Sequence, residues 1–208
     1  MIHIAKEKYH ADWVINVDAD EFWWTPLRNL KKAIGNYPHN NIIYVPLKNM
    51  VPEEGLTWIE WSNVVLNSIE NYEVEGLSKY SLYRSPIPKV IHRTQFYQII
   101  SRGNHQVQML FEASVLSKDI MIYHYPIRGY KHFENKTIRG GEAYLHNPNK
   151  TQGVHWRFWY SLYQKGALIN EFSRVIGIDK ISDFKKRGII GTDIRFLKYL
   201  RVVCNNSK

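Results

Sequence analysis

Three carboxylates fall within one short stretch, at Asp18, Asp20 and Glu21 of Asp12-Trp13-Val14-Ile15-Asn16-Val17-Asp18-Ala19-Asp20-Glu21-Phe22-Trp23-Trp24. Carboxylates this close repel one another, and each is costly to take out of water alone. A divalent cation is the simplest reason to gather them. Mg²⁺ or Mn²⁺ takes hard oxygen ligands, usually one or two protein carboxylates, and fills its remaining positions with water and substrate phosphates. The plainer alternative is a solvated acidic turn after a strand. The apolar run before the cluster and the Glu-Phe-Trp after it favour the metal reading.

Trp13, Val14, Ile15 and Val17 predict a buried strand that delivers the carboxylates. Aspartates one residue apart suit the point where that strand opens into a loop, so that both approach one ion or its bound phosphate. Thr25-Pro26 predicts a helix start by the cap-then-proline rule, running through Leu27, Leu30 and Ile34 to Gly35. Ile42 to Leu47 reads as a second buried strand. Strand, helix and strand in succession suggest α/β layers. Residues 48–85 show no clean period and predict a loop with one short helix near Glu60 to Ser68, long enough to cover an acceptor site.

Lys89 to His92, Tyr97 to Ser101 and Met109 to Val115 read as short strands, with a turn at Gly103-Asn104. Ile120 to Tyr123 is a further buried strand, ending at His124-Tyr125-Pro126. A helix follows from about Gly129 to Tyr144, loosened at Gly140-Gly141. Another begins near Val154, and its aromatic residues cover nearly every face, so it should be deeply packed or lie on something apolar. The tail, 179–203, is helical in parts and basic (Lys185, Lys186, Arg187, Arg195, Lys198, Arg201).

At 208 residues the chain can bury one core plus an appendage. The seven Trp and fourteen Tyr could stack on sugars or nucleobases, or fill the core. A net charge of +9 and a pI near 9.5 favour anionic partners such as nucleotide diphosphates or anionic lipid headgroups. The basic residues are dispersed and carry no nucleic-acid-binding signature, so no nucleic acid is expected. The lone cysteine, Cys204, excludes an internal disulfide, fits a reducing compartment and reads as a passive residue. Met1 to Lys6 lacks the pattern of a signal peptide, and no stretch is apolar enough to span a membrane. A cytoplasmic location is the expectation.

The string DWVINVDADEFWW resembles the Asp-x-Asp segment of the family 2-like glycosyltransferases with the GT-A fold, whose motif reads D(W)(V/I)xxxDxDEF. KVIHR, GNHQV and IYHYPIRGYKHFENKTIRGG resemble that family's later segments in the same order. The likeness covers roughly residues 10 to 145. It implies an α/β fold: a partial GT-A (Rossmann-like) mixed sheet flanked by helices, with a helical C-terminal appendage. Residues 1–150 would be the C-terminal portion of the transferase domain, and 151–208 a helical, basic extension. The family's N-terminal β-α-β half, which cradles the nucleotide, has no counterpart ahead of the Asp-x-Asp strand. The chain is therefore expected to be the C-terminal part of such an enzyme, a fragment or a naturally shortened protein. Residues 1–11 would stand where longer relatives have a helix.

The resemblance implies transfer of a sugar from a nucleotide-diphospho-sugar to a glycan or lipid-linked acceptor, with Mn²⁺ or Mg²⁺ neutralising the leaving diphosphate. Asp20 is the expected direct ligand, with Asp18 on ribose or on the metal through water. Glu21 would lie behind the ligands or pair with an arginine. His124, in HYPIR, would complete the metal site; the alternative is a half-buried histidine bonded to backbone. Arg128 and Lys131 would reach phosphates, or be solvated. Asn104 and His105, on the turn, would meet acceptor or diphosphate, or have no role. No role follows for His92-Arg93. Trp23, with Trp24, Trp58 and Trp61, would stack on sugar or fill the core. Glu53, Glu54 and Glu112 are available as general base, and spacing singles out none. The rival readings are an inactive binding module and a metal-dependent phosphoesterase. The basic tail and the aromatic helix would rest on an anionic membrane surface.

Overall fold

The computed structural model describes residues 2–205. The side chains of Cys204 and Asn205 lie outside the described part, and with them the reading of Cys204 as passive. In chain order the elements begin α1 (Ile2–Tyr9), β1 (Trp13–Ile15), β2 (Glu21–Trp24), α2 (Leu30–Ile34), β3 (Ile42–Val45), β4 (Leu47–Asn49) and β5 (Asn63–Val65). They continue with β6 (Lys89–Arg93), β7 (Tyr97–Ile100), β8 (Val107–Met109), β9 (Ser114–Leu116) and β10 (Met121–His124). Last come α3 (Tyr130–Leu145), α4 (Val154–Gln164), α5 (Leu168–Ile176), α6 (Ile181–Lys186), β11 (Ile190–Thr192) and α7 (Arg195–Asn205). The fold is mixed α/β, with small sheets and helices. No helix of the described residues is long and apolar enough to cross a membrane.

The chain forms two compact units, residues 1–48 with 86–124, and residues 49–85 with 125–208. Residue 150 lies inside the second unit, between α3 and α4, which pack on each other.

The first unit is built on a sheet of order β1-β6-β3-β9, in which β6 is antiparallel to both neighbours and β9 runs parallel to β3. β3 and β6 bury both faces. Ile43, Val45 and Ile91 join Ala33, Ile120 and Ile122 in one apolar cluster. Ile42 and Val90 join Val107 and Met109 in another. Strands covered on both sides carry unbroken apolar runs, which is how these segments read. β2 and β10 pair antiparallel in a second sheet, with Glu21 opposite His124.

Three expectations are corrected here. The segment before the carboxylates is half-buried rather than buried, and it ends at Ile15; Val17 is exposed. Asp18 and Asp20 therefore sit in the connection between β1 and β2, and Glu21 opens β2, rather than all three lying at the tip of a single strand. Thr25-Pro26 starts a turn, not a helix. Thr25 O accepts from Arg28 N at 3.0 Å, its hydroxyl accepts from Leu27 N at 3.3 Å, and Arg28 takes a φ of 53° that no helix continues. Helix α2 begins later, capped by Asn29, whose side chain accepts from Lys32 N at 3.0 Å. The segment 109–115 is not one strand but the end of β8 and the start of β9.

In the second unit the core gathers Tyr83, Phe133, Trp159, Phe172, Val175 and Phe184 among others. The expected helix at 60–68 is absent. A single 3-10 turn spans Trp58–Glu60, and Asn63–Val65 is a fully buried strand paired antiparallel with β11. Two adjacent β-branched residues with a partner strand outweigh a weak helical pattern.

Helix α3 runs unbroken through Gly140-Gly141. A Cβ at Gly140 would lie 2.5 Å from the Trp156 ring, and one at Gly141 would lie 2.3 Å from Tyr160. The glycines admit the rings of α4 rather than loosen the helix. The long aromatic helix is in fact two, separated where Gly166 adopts a φ of 70°. Trp159 is the one fully buried residue of α4, and Trp156, Phe158 and Leu162 pack half-buried against the same core.

Candidate functional site

The connection from β1 to β2 closes as a turn in which Glu21 N donates to Asp18 O at 3.1 Å. Into it reaches Lys89, the first residue of β6. Its Nζ lies 2.7 Å from Asp18 Oδ2 and 2.8 Å from Glu21 Oε1. The Lys89 and Glu21 side chains are 5% and 1% exposed, whereas that of Asp18 is 55% exposed. Glu21 Oε2 also accepts from Asp18 N at 3.4 Å. Burial alone would lower the Lys89 pKa. The hydrogen bonds that its ammonium donates to Asp18 and Glu21 outweigh burial and hold it above the ordinary lysine value, so the ammonium is charged at neutral pH.

Asp20 faces elsewhere. Its Oδ2 lies 3.7 Å from His124 Nε2, with side chains 14% and 22% exposed. The β2–β10 register brings this pair together from positions far apart in sequence. The separation is too long for a hydrogen bond. Adjacent ligands on one octahedral ion, with bonds of about 2.1 Å, stand about 3.0 Å apart, so the two side chains would close by several tenths of an ångström to share one. The donor chemistry, one carboxylate and one imidazole, suits Mn²⁺. Among the described residues no group of three or more His, Cys, Asp or Glu is suited to a single ion. An ion here would therefore draw its other ligands from water or phosphate, as these ions commonly do.

The expected pairing of Glu21 with an arginine is corrected: its partner is Lys89. This is the functional residue that sequence reasoning missed. The available signal was a lysine opening the apolar run Lys-Val-Ile-His, because a lysine is almost never buried without acidic partners.

His105 is not solvated. Its Nδ1 lies 3.0 Å from the carbonyl of Pro88, the residue just before Lys89, so it props the start of β6. Asn104 is half-buried beside it, with a φ of 59°. Trp23 packs against the core of the first unit. His92 is wholly buried and stacked on Tyr97, 5.2 Å between centroids. Burial holds its pKa below the ordinary histidine value, against a hydrogen bond to Arg93 O. Glu112 is exposed and accepts from Met109 N at 3.4 Å.

The remaining expected residues belong to the second unit. Lys131 is exposed and pairs with Glu134 at 2.7 Å. The Arg128 guanidinium lies 4.8 Å above the Trp58 ring. Trp58 and Trp61 both pack on Tyr125, at 5.2 and 6.1 Å. Glu53 is committed to backbone, accepting from Asn63 N at 2.9 Å and from Ser62 N. Glu54 is exposed. Of the basic tail, Arg187 is bound to Glu75 and Asp183, and Arg195 to Asp193.

Comparison of the chain with models of known protein families finds no match, and a search of curated proteins likewise finds no similar sequence.

Proposed function

We propose that the chain is the metal- and acceptor-binding portion of a GT-A-type glycosyltransferase that uses a nucleotide-diphospho-sugar and a glycan or lipid-linked acceptor. The observation that carries this reading is the approach of Asp20 and His124 at the paired ends of β2 and β10. The family likeness assigns both to one metal, together with Asp18 on ribose or on the metal through water, and 103 residues lie between Asp20 and His124. When bound, Mn²⁺ or Mg²⁺ would neutralise charge developing on a leaving diphosphate. Asp20 and His124 would hold it. Asp18, still half in water while bound to Lys89, would serve ribose or a metal-bound water. Lys89 pairs with the buried Glu21 and fixes the turn, and His105 steadies the residue before Lys89.

The binding-module reading keeps one observation in its favour: Lys89 satisfies two of the three carboxylates with no ion at all. The two readings part on metal response. Mn²⁺ with UDP or GDP raises the melting temperature of the wild type under the transferase reading, and Asp20→Ala abolishes the rise. An equal rise in the variant means that the site is misassigned. Nucleotide-sugar hydrolysis, screened with this chain alone and joined to a nucleotide-binding half, then identifies the donor.

A further inference from the structure

The second unit contains a cleft of about 920 Å³, within the size range of small-molecule sites. Part of the lining is apolar: Phe172 and Ile176 are buried, while Leu56 and Ile178, also lining it, are 45% and 50% exposed. Arg128 stands on the same lining. Its Nε is shielded from solvent and has no hydrogen-bond partner. Among the described residues the guanidinium makes no ion pair, and only the Trp58 ring supports its charge. A guanidinium in this state is an incomplete arrangement, because shielded donors are nearly always matched. Its planar fork suits a carboxylate or a phosphate.

Other charges on the lining are Lys185, Glu53 and Glu54. Glu53 is turned to the backbone of Ser62 and Asn63, and Glu54 is exposed.

We propose that this cleft binds an anionic amphiphile, with its oxyanion head on Arg128 and its apolar body along Leu56, Phe172, Ile176 and Ile178. The inference rests on the second unit alone and does not require the transferase reading.

Dodecyl phosphate below its micelle concentration is the probe, followed by the fluorescence of Trp58 and Trp61. The wild type should show saturable binding. Arg128→Gln should weaken it by about tenfold or more, the scale of a lost charge-assisted hydrogen bond. Ile178→Asp, at a half-exposed position that folding tolerates, should weaken it comparably. Dodecyl maltoside and inorganic phosphate should each bind the wild type at least about tenfold more weakly, since each lacks one half of the recognised chemistry. Asp20→Ala should bind dodecyl phosphate as the wild type does, which separates this site from the metal site. Absence of saturable binding, equal affinity in Arg128→Gln and Ile178→Asp, or equal affinity for the neutral amphiphile or for free phosphate would overturn the proposal.

Discussion

Lys89 in the first unit is a buried cation and Arg128 in the second a half-buried one with a shielded Nε, and the chain treats them oppositely. Lys89 meets two carboxylates within 2.8 Å. Arg128 meets the face of an indole and, at Nε, nothing. A shielded cation with its anions supplied is part of the scaffold. One without them is waiting for an anion from outside. The same contrast divides the acidic cluster itself: Asp18 and Glu21 answer to Lys89, while Asp20 looks toward His124.

The largest expected effect follows from breaking the supplied pair. Lys89→Met leaves Glu21 buried without its cation, and we expect a loss of about 3–5 kcal/mol, measured by urea denaturation. Asp18 contributes little to that figure, because it is half in water. A loss below about 1 kcal/mol would show the triad to be no more than a surface pair.

Next in size is packing in the second unit. Gly141→Ala puts a methyl group into Tyr160 and should cost about 1–3 kcal/mol, read from the same denaturation curves.

Titration separates the units further. The Lys89 pKa is raised in the folded state, so its contribution is complete below the ordinary value of 10.5 and is lost as pH rises through the folded value. Alkaline denaturation should therefore be steeper in the wild type than in Lys89→Met. In the second unit, His155 is held below 6.5 by burial first and by Lys136 and Arg84 next. The unfolded chain then binds more protons, and stability falls as pH drops below 6.5. His155→Gln should flatten that acid slope by at most about 1.4 kcal/mol per pH unit. An unchanged slope would contradict the assignment.

The smallest effect should come from Arg128→Met. It removes an unmatched cation along with a ring contact, two terms of opposite sign, so the net change should stay within about 1 kcal/mol of zero. A loss as large as that of Lys89→Met would erase the contrast between the two residues.

Much of the first unit was legible because strands buried on both faces announce themselves, as Ile42–Val45 and Met121–His124 did. So was the acidic cluster, since three carboxylates beside an apolar run need an explanation. Lys89 was not legible, because a lysine's partners come from a strand far away in sequence, and nothing local marks them. Thr25-Pro26 misled because a cap followed by proline opens a turn as readily as a helix; Arg28 at positive φ decides between them. Gly140-Gly141 read as weakness because their purpose, room for Trp156 and Tyr160, belongs to another helix. The buried strand at Asn63–Val65 depended on β11, more than a hundred residues later.

The central claim is that Asp20 and His124 hold a cation between them. Electron paramagnetic resonance of a Mn²⁺ titration reads this directly, since protein-bound Mn²⁺ loses the sharp signal of the free ion. The account predicts one saturable ion per wild-type chain and loss of that ion in both Asp20→Ala and His124→Ala. Undiminished binding in either variant, or none in the wild type, would contradict it.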